Sequence, residues 1–503
     1  MNIKTKIASL SEDRKALLLL TLWSAAVLLL VSSDSPLHGE WDRLDSSWFF
    51  TSGKAMMLGM KPYVAFADSK GPLLWLIYGV GYLLTPRSYV GVWVLSCLCY
   101  AGILYFNYKT ARLFLGDFLR SLAAAMVMPF IYFQYWFHDD VRAEDFCTLP
   151  VAVSLLVVMR LLTAGRSGRR AAHCDGAVLG ASFMALVLIK WNVAAMQATL
   201  VAVALWYYWR EERQGLQAFG ATAAGAAAVA LPFVAWLLAR GAFGAFVQEY
   251  FVNTLLTVTP EGDVADSYLG ELATTLGTAH KLALLLGLLA GGWLVSRQRV
   301  RYRLVPVAVP VLFFLACSRH ALFHYHSICY VFLLFLVVHL FSQARVLKVR
   351  SLAVVGCCVL LWGYGENVRE GSHLAQVWLW GKRSHEAHYR YFADHIEGHH
   401  PRIMYLYGCD YGYGLASEAV PAGRYWSYQK GTTPKMEQEH LRPLLEGLAD
   451  YVIVNDQNLC ESKGYSTLRL HRLGYRRLCM KRYYSLQGVR RVGVIYERRD
   501  RRI

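Results

Sequence analysis

The sequence predicts an all-α multi-pass transmembrane bundle followed by a small C-terminal α/β domain outside the membrane. Three observations carry this. Apolar residues make up 56% of the 503 residues, more than the roughly 45–50% usual in soluble domains. They gather into runs of about 15–24 residues between Ala16 and Tyr364, the length that spans a bilayer. Clusters of Lys and Arg recur between the runs, as the positive-inside rule requires.

Each element follows in order. Lys4, Lys6, Arg14 and Lys15 precede the first run, Ala16–Val31, and place the N-terminus in the cytoplasm. That run has no small-x-small cleavage pattern and many spans follow it, so it reads as a retained helix. The stretch from Ser32 to Gly71 is polar, acidic and aromatic, and lies outside. Pro72–Leu84 is apolar but short, and is expected to lie along the outer surface. A span at 89–108 then delivers Lys109, Arg112 and Arg120 to the inside, and 121–137 returns to His138–Glu144. The span 146–162 leads to Arg166, Arg169 and Arg170. A helical hairpin at 176–189 and 193–209 comes back to Arg210 and Arg213. The span 216–239 exits to the loop Arg240–His280, and 281–296 enters toward Arg297, Arg299, Arg301 and Arg303. Spans at 304–318 and 325–341 make a round trip to Arg345, Lys348 and Arg350, and 351–365 leaves again. The total is about eleven spans. Were Pro72–Leu84 to cross, every later basic cluster would face outward.

The expected organisation is a membrane domain over 1–368, with outer loops 33–88, 138–145 and 240–280, and an outer domain over 369–503. In the latter, Arg402–Tyr407, Tyr451–Asn455 and Arg490–Tyr496 are strand-like and Met436–Leu448 helix-like, an α/β order. The formal net charge of +17 would suggest nucleic acid in a soluble chain; here orientation accounts for it, and no nucleic-acid partner is expected. The eleven cysteines show no metal-ligand spacing. Cys97, Cys99, Cys357 and Cys358 lie in apolar runs, and Cys409, Cys460 and Cys479 allow at most one disulfide in the tail.

Two acidic outer loops face one compartment. The first holds Asp42, Asp45 and Asp68, with Lys70 just ahead of the interfacial segment. The second reads His138-Asp139-Asp140-Val141-Arg142-Ala143-Glu144-Asp145. Carboxylates at a membrane boundary are costly when desolvated, which makes them functional candidates; the bland alternative is that they solvate loop ends.

The stretch Asp45-Ser46-Ser47-Trp48-Phe49, then Gly59, Pro62-Tyr63, Asp68 and Lys70-Gly71-Pro72-Leu73, resembles the first outer loop of bacterial GT-C glycosyltransferases, relatives of the dolichyl-phosphate-mannose and lipid-A aminoarabinose transferases. Arg142-Ala143-Glu144-Asp145-Phe146 resembles their second acidic loop, Lys190-Trp191-Asn192 a lysine in the paired helices that follow, and Arg319 to His326, with His324-Tyr325-His326, a late basic-aromatic loop. The resemblance covers most of residues 16–365. It implies a sugar donor on a polyprenyl phosphate, a glycan or lipid acceptor, a membrane lipid environment and a bacterial inner-membrane location. It also implies a site in which Asp45 takes the acceptor proton, with Glu144 and Asp140 as the next carboxylates. Lys70, Arg142, Asp145, Lys190, Arg319, His324 and Tyr325 would line the donor and its phosphate. Where many relatives carry Asp-Glu, this chain has Asp45-Ser46. A divalent cation therefore stays open, with Asp45, Asp140, Glu144 and Asp145 as the oxygen donors available to it. Competing readings are a transporter, flippase or polymerase of lipid-linked saccharides, and a non-catalytic assembly factor. The basic end, Lys463 to Arg502, reads either as a solvated strand face or as a patch for anionic headgroups or glycan.

Overall fold

A computed structural model describes residues 11–32, 34–37, 45–136, 141–164, 168–255, 264–295, 304–318, 323–343, 393–410, 412–427, 433–484 and 490–500. Asp42, Asp139, Asp140, Arg319 and the expected span 351–365 lie outside the described residues. So do the side chains of His324 and Tyr325.

The first half is helical: α1 Glu12–Val31, α2 Asp45–Met57, α3 Pro72–Leu84, α4 Val90–Leu115, α5 Phe118–Trp136, α6 Ala143–Ala164, α7 Arg169–Lys190, α8 Ala194–Arg210 and α9 Gly215–Ala239. A short α10, Phe243–Phe246, runs into a π-helical turn, Val247–Asn253. Beyond it come α11 Val264–Gly277, α12 Ala279–Val295, α13 Val309–Cys317, a 3-10 stretch Phe323–Leu333 and α14 Leu334–Ser342. Large apolar side chains stand exposed on these helices, among them Leu22, Leu98, Leu216, Leu231 and Leu286. A helix that presents leucine outward is at home in lipid, where its backbone polar groups are satisfied internally.

Ion pairs fix which ends lie together. Glu12 and Asp13, at the start of α1, bind Arg112 at 3.0 Å and Lys109 at 2.7 Å near the end of α4. Arg160 near the end of α6 binds Asp175 near the start of α7 at 2.6 Å, and Tyr208 near the end of α8 donates to the same carboxylate at 2.8 Å. At the opposite ends of α6 and α7, Glu144 pairs with Lys190. The Tyr208–Asp175 bond means that α8 folds back along α7, because a straight run from Arg169 to Arg210 would hold those residues roughly 50 Å apart. The hairpin expected from the sequence is therefore present. Helix α9 runs alongside α7 at very close range. A Cβ at Gly180 would stand 1.9 Å from the Thr222 carbonyl oxygen, so only glycine lets the two backbones approach this way.

Eleven spans are not established by the helix lengths. Among the described residues four stretches are long and apolar enough to cross a membrane, or five if the bent pair Tyr268–Gly277 and Lys281–Val295 counts as one. The third of these, Arg169–Arg210, is the hairpin and so supplies two arms. Pro72–Leu84, Phe118–Tyr132, Val305–Cys317 and His326–Ser342 are apolar but shorter. The thirteen residues of α3 reach only about 20 Å, short of the roughly 30 Å of hydrocarbon. They pack instead along α2, where Phe49 meets Tyr78 edge-on at 5.4 Å.

The C-terminal part is a five-stranded sheet in the order β2-β1-β3-β5-β4: β1 Arg402–Tyr405, β2 Val420–Pro421, β3 Tyr451–Val454, β4 Tyr475–Tyr484 and β5 Arg490–Arg498. β1 is parallel to β2 and β3, and β5 is antiparallel to β3 and β4. The expected helix is there as Pro434–Leu445, started by the Thr433 side chain accepting from the Met436 amide. β1 stops short of the expected Tyr407, whose φ of 51° ends extended structure. Strand side chains alternate between faces. Ile403, Tyr405, Tyr451, Ile453 and Ile495 join the core that contains the membrane helices. Met404, Leu406, Val452, Val454, Val494 and Tyr496 form a second core with the helices on the far face.

Candidate active site

Asp45 opens α2, where a carboxylate faces the positive end of the helix dipole, and it is half-buried. The next residue reaches the second acidic loop: Ser46 Oγ donates to the Val141 carbonyl at 3.1 Å, and Tyr78 Oη donates to the same oxygen at 2.6 Å. That pins the start of α6 beside the start of α2. Arg142 follows directly. Its amide donates to Asp145 Oδ2 at 2.8 Å, half of a capping box that satisfies one of the open N–H groups at the head of α6. Asp145 thus has a structural job. Buried Asp34 stands within electrostatic reach of it.

Glu144 and Lys190 are both buried and form an ion pair. Taking two charges out of water costs several kcal/mol per ion, and the pairing of Glu144 with Lys190 offsets part of that cost. Lys190 lies at a break. Its backbone is extended (φ −157°, ψ 96°) and the 3-10 turn Trp191–Val193 follows.

Lys70 arrives from the other side. Its ammonium sits 5.6 Å from the ring centroid of Phe49, one turn along α2 from Asp45. The next residue, Gly71, donates its amide to the Ile189 carbonyl at 3.0 Å. A Cβ there would fall 1.9 Å from the Leu188 carbonyl oxygen, so the glycine is what lets the Lys70 segment lie against the Lys190 break. Asp68 accepts from the Ser69 amide and hydroxyl and shapes this turn.

Three distant segments therefore converge at one end of the bundle: Asp45 to Lys70, Arg142 to Asp145, and Lys190. The end of α13 borders them, since Cys317 lies within electrostatic reach of Lys190 and Glu144. In the late loop His326 is buried, shares a hydrogen bond with Ser318 at 3.2 Å and packs on Phe314. Among the described residues no three His, Cys, Asp or Glu side chains are grouped so as to hold a metal ion. Glu144 turns to Lys190 and Asp145 to the helix cap.

Sequence reasoning missed the contacts that hold the C-terminal sheet to this end. Lys54, fully buried in α2, donates to the carbonyls of Gly414 and Ser417 at 2.5 and 3.2 Å. Thr51 donates to Asp410 at 2.7 Å, and Trp48 meets Trp426 edge-on at 6.3 Å. On the π-helical turn, buried Glu249 accepts from Arg424 at 3.1 Å and from Tyr425 at 2.5 Å. No local pattern signals these, because their partners lie 175 to 378 residues away.

The fold is similar to that of ArnT, the aminoarabinose transferase, from Cupriavidus metallidurans. In the apo state that structure is 14% identical, with 95% of this chain and 97% of that chain covered and a TM-score of 0.62. Bound to undecaprenyl phosphate it is 13% identical, with the same shares covered and a TM-score of 0.60. A mutant of the arabinofuranosyltransferase AftD from Mycobacteria is 14% identical at a TM-score of 0.50, covering 97% of this chain and 42% of that one. No protein-family model matches the chain, and no curated protein matches it. The helical bundle with its C-terminal sheet thus has the fold seen in ArnT.

Proposed function

We propose that the chain is an integral membrane glycosyltransferase that moves a sugar from a polyprenyl-phosphate donor to a cell-envelope acceptor. The observation that carries this reading is the convergence of Asp45 and Lys70 with Arg142 and the Glu144–Lys190 pair at one end of the bundle. The likeness in fold to a transferase structure holding undecaprenyl phosphate supports it. In the proposed reaction the acceptor hydroxyl attacks the anomeric carbon and gives its proton to Asp45. The bond from that carbon to the phosphate oxygen breaks, and the electron pair leaves with the phosphate. Cations stabilise the departing charge; Lys70 and Arg142 are the nearest to Asp45 along the contacts above, and Lys190, Arg319, His324 and Tyr325 complete the proposed set. Glu144 serves in this scheme to hold Lys190. The proposed setting is a bacterial inner membrane crossed about eleven times, with the N-terminus inside and the sheet and the Asp45 end outside.

The test uses purified protein in proteoliposomes with a polyprenyl-phosphate-linked radiolabelled sugar and cell-envelope lipid as acceptor. Polyprenyl phosphate and labelled acceptor should both appear, and Asp45→Asn should slow turnover by about 100-fold or more while the protein still inserts. An intact donor found across the bilayer would instead make the chain a transporter. Wild-type turnover by Asp45→Asn would remove Asp45 from the mechanism.

A further inference from the structure

The placement of Lys190 depends on the break in α7, and that break has an identifiable cause. In a continuous helix the Trp191 amide would donate to the carbonyl of Val187, four residues back. A phenol stands in that place. Tyr250 Oη accepts from the Trp191 amide at 2.8 Å and donates to the Val187 carbonyl at 2.6 Å. A side chain inserted into the i→i−4 ladder is a known origin of sharp kinks. Directly at the insertion the backbone of Lys190 turns extended, and its ammonium reaches Glu144.

Tyr250 is itself held firmly. It is fully buried, its ring stacks on Phe246 at 5.5 Å, and Tyr63 and Phe251 close around it. The preceding residue is Glu249, which Arg424 and Tyr425 bind from the turn that follows β2. Burial pushes the phenol well above its ordinary range, so it remains a donor. Packing alone asks only for the ring. The hydroxyl spends both of its bonds inside another helix's backbone ladder, which packing does not require.

We propose that Tyr250 is a positioning residue: its hydroxyl, by taking over the Trp191–Val187 hydrogen bond, sets the break that holds Lys190 on Glu144, and the grip of Arg424 and Tyr425 on Glu249 keeps it in place. The inference deepens the transferase reading and rests on it for its effect on turnover. Tyr250→Phe keeps the ring and frees the Trp191 amide to rejoin Val187, which draws Lys190 off Glu144.

The experiment is a double-mutant cycle with two readouts. Turnover with a polyprenyl-phosphate sugar should fall roughly tenfold or more on Tyr250→Phe in the wild-type background. In the Lys190→Met background the same change should cost less than about twofold, because the group it positions is gone. The midpoint of thermal unfolding in detergent, measured for Tyr250→Phe, Glu144→Gln and the double variant, should show non-additive losses. Equal turnover losses in both backgrounds, or additive unfolding shifts, overturn the proposal and leave Tyr250 as packing. A wild-type protein that moves no sugar defeats the transferase reading, and the unfolding cycle then still decides the link between Tyr250 and the ion pair. Should Tyr250→Phe not fold, Arg424→Met releases Glu249 and is expected to show the same dependence on Lys190; independence from Lys190 overturns the proposal.

Discussion

A lysine sealed inside a protein loses its proton more readily, and Lys54 does so here. Burial lowers it from 10.5 to about 7, and Asp410 and Glu418 offset only part of that while Arg87 adds to it. Between pH 7 and 10.5 the unfolded chain therefore binds a proton at this position that the folded chain does not. Stability rises with pH wherever the unfolded state binds more protons. Below pH 7 both states carry the proton and the contribution is flat. The thermal midpoint of the wild type should accordingly gain more between pH 7 and 9 than that of Lys54→Met. Parallel pH profiles for the two proteins would mean that Lys54 keeps its proton throughout. The residue illustrates what the sequence hides. Asp45 and Lys70 stand in a readable motif, and so do Glu144 and Lys190, although the ion pair itself was not foreseen. Lys54 lies in the same helix with no pattern around it, because its partners Gly414 and Ser417 come from the other end of the chain.

At the scale of elements, apolar runs and basic clusters made the bundle legible, including the α7–α8 hairpin. The sheet was legible where strands are apolar: β1, β3 and β5 follow Ile403, Val452 and Val494. Strand β4 was not, since Arg476, Arg477, Lys481 and Arg482 look like solvated charge until β5 pairs with them and Glu497 binds Arg476 at 2.7 Å. The close pairing of α7 with α9 likewise needs the structure, which identifies Gly180 as the contact. Gly180→Leu should lower the unfolding midpoint sharply, since its Cβ would meet the Thr222 carbonyl. Gly220→Leu in α9, where an added Cβ meets nothing within 4 Å, is the control and should leave the midpoint nearly unchanged. Similar shifts for both would mean that α7 and α9 are not in tight backbone contact.

At the scale of the whole molecule, the charge pattern and the contacts divide the chain into two ends. Glu12 and Asp13 meet Lys109 and Arg112 at one. At the other are Asp45, Glu144 and Lys190, and Lys54 and Glu249 fasten the C-terminal domain to the same end. Introduced cysteines should report this. In intact cells an impermeant thiol reagent should label Ser462→Cys in the sheet domain and not Arg170→Cys at the start of α7, both exposed positions. The reverse pattern would invert the proposed orientation, and labelling of both would dissolve it. The basic segment from Lys463 to Arg502 follows Ser462 in the chain, so the same experiment tells on which side of the membrane it lies.

The sheet has two apolar faces, and one of them is covered by helices made hundreds of residues earlier. Trp48, Thr51 and Lys54 leave the ribosome long before Trp426, Asp410 and Gly414, the groups that cover them. During synthesis α2 must therefore wait with a buried-type lysine and a bare indole until the last fifth of the chain arrives. A chaperone or the insertion machinery has that interval to shield it, and a nascent chain that stops before residue 393 would present this surface to quality-control proteases. The final segment, in turn, folds onto a template that is already in place, so cutting it free would leave Ile403, Tyr405 and Ile453 with nothing to settle against.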